Sequence, residues 1–190
     1  MADPLQPSAI CDVAVRAALP APTAALKVRL LDGLRVVALR HLPGGTAAVE
    51  ATLMAHGAAA LPMPGECHGS DPWWLWTGPA ECLLITSNGA VADGVLQSMS
   101  PGREALACAV DRSAGSVVFE LAGPGTAGLL PRLFDASAIP QRVGQGHRAR
   151  CVDVGAVPMR VAPDRVLLLI DRLHGLHVAQ WIAHAAMADA

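Results

Sequence analysis

Tyrosine is absent from this chain of 190 residues, phenylalanine occurs twice, and charged residues make up 16% against 53% hydrophobic. So little charge indicates a globular chain with a limited solvating surface, one on which a buried partner surface is plausible. The net charge of -2 lacks the clustered Lys and Arg that nucleic acid or an anionic membrane requires. Cysteine is sparse and odd in number: Cys11, Cys67, Cys82, Cys108 and Cys151, with no C-x-x-C spacing. A disulfide framework and a structural zinc site are therefore not expected. MADPLQPSAI has no basic residue ahead of an apolar run, so it does not read as a signal peptide. The longest aliphatic run, 166–170, is too short to cross a bilayer. A cytoplasmic location is the expectation.

Punctuation is abundant, with 18 Gly and 15 Pro. Residues 1–32 are rich in Pro and Ala without a sustained period. They read as an extended arm with a short helix over 12–19, disordered or laid on a partner. Beyond them the spacing predicts strands over 34–40, 73–77, 81–86 and 106–111, with helices opening at Thr46 and over 91–99. Thr46 is a candidate N-cap and Gly57 a candidate C′ residue. Pro101-Gly102 closes the second of these helices, and 57–72 reads as a loop. The order then recurs. Strands are expected over 116–121, 149–154, 157–161 and 165–170, with a loop over 141–147. One helix starts at Pro124 and is kinked or ended by Pro131, and a last one, capped by Asp171, runs to about Ala188. The run 81–86 matches 165–170 at an offset of 84, and 34–40 moved by the same offset falls on the strand at 116–121. The β-α-β-β-α order thus occurs twice, which implies an α+β fold of duplicated ferredoxin-like units. The expected division is an arm, 1–32, and one duplicated domain, 33–190, with repeats over about 33–111 and 115–188.

Gly123-Pro124-Gly125-Thr126-Ala127-Gly128 matches G-x-G-x-x-G between a strand and a helix. A dinucleotide site also needs an acidic residue about twenty positions later for the ribose, and none lies between Ala136 and Val152. A tight strand-to-helix turn is the better reading. The P-loop sequence is absent. Glu66-Cys67-His68 has only Asp71 as a near companion, and His174, His177 and His184 share a helix edge without a fourth ligand, so a metal is not expected. Ser113 lacks a nucleophile elbow. Cys82 and Cys151 fall in predicted strands and are expected to be buried and inert. Glu120 is the lone carboxylate in an apolar run, which alternation could place on a solvent face. Trp73, Trp74 and Trp76 are the candidate partner-interface residues. Alternation sets Trp74 and Trp76 on one face and Trp73 on the other, and core packing is the competing reading.

Trp76-Thr77-Gly78-Pro79-Ala80-Glu81-Cys82-Leu83-Leu84 resembles the W-x-G-P-x-E-W-L-L stretch of the gamma subunit of heterotetrameric sarcosine oxidase. The resemblance continues through Asp111-Arg112-Ser113, Leu121-Ala122-Gly123-Pro124 with the following helix, Gly146 to Cys151, and 166–171 with a helix carrying Trp181. Cys82 stands where the family usually has Trp. Asp111-Arg112-Ser113-Ala114 is a looser form of the family's D-x-S-H-like turn, so no role for that His carries over. The resemblance implies a fold similar to the N-terminal part of the glycine-cleavage T-protein (aminomethyltransferase). It implies a non-catalytic gamma subunit of an αβγδ flavoenzyme complex that oxidatively demethylates sarcosine to glycine and forms hydrogen peroxide. The one-carbon unit passes to tetrahydrofolate or leaves as formaldehyde. FAD, FMN, NAD, zinc and tetrahydrofolate would then reside on the alpha, beta and delta subunits and none on this chain, whose direct contact would be with alpha. A stand-alone folate-binding or aminomethyltransferase-like protein, or a gamma-like subunit acting on another N-methyl amine or N-methyl amino acid, is the alternative.

Overall fold

The computed structural model describes residues 7–100 and 106–187. The chain runs α1 (Pro7–Ala18), β1 (Lys27–Leu31), β2 (Arg35–His41), α2 (Thr46–Ala55), β3 (Cys67–His68), β4 (Trp73–Gly78), β5 (Glu81–Thr86), α3 (Gly89–Ser98) and β6 (Ala107–Asp111). It continues with β7 (Ser116–Ala122), α4 (Thr126–Leu133), β8 (Gln145–Gly146), β9 (Ala149–Cys151), β10 (Val154–Ala162), β11 (Arg165–Asp171) and α5 (Gly175–Met187). The elements form two antiparallel sheets, ordered β3-β4-β5-β2-β6 and β1-β7-β11-β10-β8, with β9 also paired to β10.

The sheets pack face to face. One apolar cluster joins Val36, Ala38, Leu75, Leu83 and Ile85 of the first sheet to Val118, Val157, Met159, Leu167 and Leu169 of the second. Alternate residues on the same strands point outward and are covered by helices. Val37, Leu39 and Leu84 meet α2 and α3, and Phe119, Leu121, Val166 and Leu168 meet α1, α4 and α5. The result is four layers, helix–sheet–sheet–helix, with the central strands covered on both faces. The period of two in each strand therefore sorts one apolar residue from another, not apolar from polar.

Each sheet has the strand order of a ferredoxin-like unit. In the first, β2, β4, β5 and β6 occupy the four places. In the second, β7, β10 and β11 take the first three, and the fourth belongs to β1, which pairs with β7 from Lys27↔Ala122 to Leu31↔Val118. The expected extended arm is thus corrected over its described part. Lys27–Leu31 alternates, with Val28 and Leu30 turned into the core, and α1 begins earlier than 12, burying Val15. The expected offset holds for β5 and β11, since Glu81 and Arg165 are the matching strand starts. Their partners Arg40 and Ala122 are 82 apart, two fewer than expected, which leaves the pleat in phase.

Further differences are local: the 141–147 loop holds the short strand β8, α4 opens at Thr126 and not at Pro124, and Asp171 caps the 3-10 turn 172–174 that precedes α5. The 57–72 loop contains the two-residue strand β3. Gly45, not Thr46, is the N-cap of α2. Pro131 lies inside α4, which continues to Leu133; the missing N–H falls in the last turn, where little helix remains to be broken. Pro101-Gly102, Met1–Leu5 and the expected end at Ala188 lie outside the described residues.

The glycine-rich turn joins β7 to α4 and is shaped by the N-terminal segment. The Gly125 N–H donates to the Ala25 carbonyl at 2.8 Å, and the Gly123 N–H to the Asp164 carbonyl at 2.9 Å. Gly123 has φ +107, and a Cβ there would lie 2.5 Å from the Ala25 oxygen. Glycine is needed because a neighbouring backbone fills the space a side chain would take. Gly123→Ala is expected to destabilise the fold by about 1–3 kcal/mol, read as a lower midpoint in thermal or urea unfolding. Gly33→Ala, with φ +67 but nothing within 4 Å of a Cβ, should cost less.

Candidate functional site

The tryptophans divide as the pleat dictates, but the outcome for the interface differs from expectation. Trp73 turns into the layer between the sheets and is 6% exposed. Trp74 turns toward α2 and α3 and is 1% exposed. Neither presents a surface to a partner, because β4 is covered on both sides. Their indole N–H groups find no acceptor among the described residues, so packing and not polarity holds them. Trp76, opposite Cys82, is half-buried and keeps some free surface.

The concave surface lies at the end of the same hairpin. Gly78-Pro79-Ala80 turns β4 into β5, and the turn forms one wall of a groove of about 670 Å³. Leu42, Leu106, Ala107 and Cys108 form the other wall, with Leu42 60% and Leu106 41% exposed. Arg40, Glu81 and Cys108 sit on the inner pleat of their sheet, cross-strand from one another. The groove is thus the stretch of inner face that runs past the cover of the second sheet.

Glu81 anchors this end. It accepts from Arg40 Nε at 2.5 Å, from Thr77 Oγ1 at 2.9 Å and from the Arg148 guanidinium. Arg148 comes from the loop between β8 and β9 of the other sheet, and its Nε also donates to the Thr77 carbonyl at 3.0 Å, so it ties the two sheets together. Burial alone would raise the Glu81 carboxyl; the hydrogen bonds from Arg40, Thr77 and Arg148 outweigh it and hold the pKa below its ordinary value. The second sheet ends its inner face in the same way. Glu120, buried and not on a solvent face as alternation alone allowed, accepts from Arg29 Nε at 2.8 Å and Arg165 Nε at 2.6 Å. Alternation was right about the pleat; the far side of the pleat is the other sheet.

The remaining candidates resolve into structure. Asp111 accepts from the Ser113 N–H at 2.8 Å and Ser113 Oγ at 2.5 Å, and Arg35 Nη2 donates to it at 2.7 Å. Ser113 Oγ in turn accepts from the Val36 N–H at 3.0 Å, so its hydroxyl is spent on the turn. Burial works against the Asp111 charge, and the Ser113 and Arg35 contacts more than offset it, leaving the pKa lowered. Burial pushes the Cys67, Cys82 and Cys151 thiols up to about 12, which keeps them protonated. His68 Nε2 lies 3.0 Å from Glu66. His184 stacks edge-on against Trp181 at 6.0 Å between ring centres, beside His177 on the outer side of α5. No three His, Cys, Asp or Glu side chains among the described residues are grouped to hold a metal ion. No helix among them is long and apolar enough to cross a membrane. The glycine turn, the other nominal site, has its Gly125 donor taken by Ala25.

Two ferredoxin-like units, fused so that the N-terminal strand closes the second, define the class: a duplicated α+β protein. Among solved structures, the chain is similar to a chain of heterotetrameric sarcosine oxidase from Corynebacterium sp. U-96, determined with pyrrole 2-carboxylate. The identity is 26% over 96% of this chain and 94% of that one, with a TM-score of 0.77. It also shares its fold with glycine cleavage system aminomethyltransferase T from Bartonella henselae, at 14% identity and a TM-score of 0.59. There the match takes in 96% of this chain and 50% of the other, so this chain spans half of that protein. No protein-family model matches the chain, and no curated protein matches it in sequence. The chain therefore resembles a subunit of heterotetrameric sarcosine oxidase and has the fold of half of aminomethyltransferase T.

Glu66 is also held low, by the Met63 N–H and His68; among the part-buried carboxylates, Glu81 and Asp111 carry the pH dependence. Their folded-state pKa values lie below the ordinary 4.5 and 3.8. Their contribution to stability is complete above those ordinary values and is lost as the pH falls through the lowered ones. Urea unfolding between pH 6 and about 3 should show stability falling with acid, and Glu81→Gln with Asp111→Asn should flatten that fall. An unchanged acid slope would contradict the assignment.

Proposed function

We propose that this chain is the gamma-type, non-catalytic subunit of a heterotetrameric sarcosine-oxidase-type flavoenzyme. The observation that carries the reading is the end-to-end match to one chain of such a heterotetramer, 96% of this chain against 94% of that one. A match confined to one lobe would indicate a shared module; this one spans both sheets. The chemistry of the candidate residues is in keeping with a supporting role. The buried thiols are protonated, Ser113 is committed to its turn, and the glycine turn packs on its own chain.

On this reading FAD, FMN, NAD, zinc and tetrahydrofolate are held by the alpha, beta and delta subunits, with alpha in direct contact with this chain, in the cytoplasm. The complex removes a methyl group from sarcosine by oxidation. A related N-methyl amine or N-methyl amino acid is the substrate if the catalytic subunits differ. A second reading, a stand-alone folate-binding protein, draws on the shared fold with aminomethyltransferase T.

Co-expression with the alpha, beta and delta subunits, one of them tagged, tests the choice. Equimolar recovery of this chain in a flavin-coloured complex is expected, with no heat when tetrahydrofolate is titrated into the chain alone. A stable monomer that no flavin-bearing subunit retains, and that binds tetrahydrofolate, would select the second reading.

A further inference from the structure

The groove beside Gly78-Pro79-Ala80 has the chemistry of a socket for a protein segment. We propose that it receives a segment of a partner subunit that carries a large apolar side chain next to a carboxylate. The proposal rests on the subunit reading above and deepens it by naming the docking surface.

Three observations point to this occupant. First, the groove is an uncovered inner sheet face. Elsewhere that face is buried against the second sheet, yet here Leu42 and Leu106 stand 60% and 41% exposed around about 670 Å³ of space. Apolar surface gathered in a concavity is the pattern of an interaction site. Second, most of its polar groups are already engaged: Arg40, Thr77, Glu81 and Arg148 form one network, and the His41 ring lies 3.1 Å from the Leu42 carbonyl. A small-molecule pocket needs several convergent polar groups free to orient a ligand, whereas a protein anchor needs chiefly shape and desolvation. Third, the charge is unbalanced. Arg40 and Arg148 share the single carboxylate of Glu81, no other Asp or Glu among the described residues lines the groove, and both guanidinium side chains are more than half exposed. Over the described residues the rim therefore carries an excess positive charge, which a carboxylate on the incoming segment complements.

The outer side of α5 is the competing surface. Leu176, Trp181 and Met187 are exposed there, with Leu173 in the turn just ahead of it, but it is a helix flank whose described residues include no Asp, Glu, Lys or Arg to select a partner. It serves as the internal control.

The test uses the co-expressed complex with three variants of this chain: Leu42→Asp, Arg40→Gln and, in the turn leading into α5, Leu173→Asp. Leu42 and Leu173 are exposed enough for the unfolding midpoint of each variant to stay near that of the wild type. Leu42→Asp should weaken assembly about tenfold or more, the scale of a lost anchor. Arg40→Gln should weaken it less and reduce its dependence on salt. Leu173→Asp should assemble normally. Assembly lost with Leu173→Asp and kept with Leu42→Asp would overturn the docking surface while leaving the subunit reading intact. A wild-type chain that joins no complex would overturn both. Self-association of the isolated chain, abolished by Leu42→Asp, would replace the partner segment with a second copy and overturn the proposal.

Discussion

The sharing of one apolar layer between two sheets governs the rest of this molecule. Val36, Leu75, Leu83 and Ile85 face Val118, Val157, Leu167 and Leu169 across that layer, and helices cover the opposite pleats. A strand buried on both faces has little room for charge. That accounts for a composition of 53% hydrophobic and 16% charged residues without any membrane-crossing helix among the described residues. Charge is displaced to the ends of the layer, where Glu81 and Glu120 each sit between two arginines. Arg148 reaches from one sheet to the other at the first of these ends. Both clusters are part solvent-exposed through their arginines, so their value lies in fixing register and relative placement more than in net stabilisation.

The second unit depends on a strand drawn from far earlier in the chain. β1 supplies its fourth place, and the segment leading into β1 lies against Gly123 and Gly125. A motif with the outward form of a nucleotide loop is thus explained by its own chain. The glycines permit a backbone to approach, and the backbone is that of Ala25. The two ferredoxin-like units are consequently not separable at the middle of the sequence, because the first elements of the chain complete the last sheet.

Much of the fold was legible because its signals are local. The run 81–86 and its counterpart 165–170 each contain one strand, and the duplication follows from their spacing. What escaped was non-local. Nothing in K-V-R-L-L announces that it pairs with β7, and the prolines around it suggested an arm. Alternation correctly places Trp73 and Trp74 on opposite faces of β4, but its meaning depends on what lies beyond each face, and for these two that is core on both sides, whereas Trp76 is half-buried. Glu120 shows the same limit: a polar residue on the far pleat implies solvent only when no second sheet is there. The groove could not be found from motifs, since Leu42, Pro79, Leu106 and Cys108 meet only in three dimensions. The one sequence signal near it was the Trp76–Leu84 stretch, whose Gly78-Pro79-Ala80 turn forms its wall.

On the proposed reading a supporting subunit combines a complete core with a surface left unfinished, and the groove at the end of the shared layer is the surface assigned to that role. Hydrogen–deuterium exchange of the isolated chain and of the chain within the assembled complex compares the two states directly. The account predicts slower exchange on assembly at residues 40–42, 77–81 and 106–108, with α5 unchanged. Equal exchange at those positions in the two states, with protection appearing on α5 instead, would contradict it.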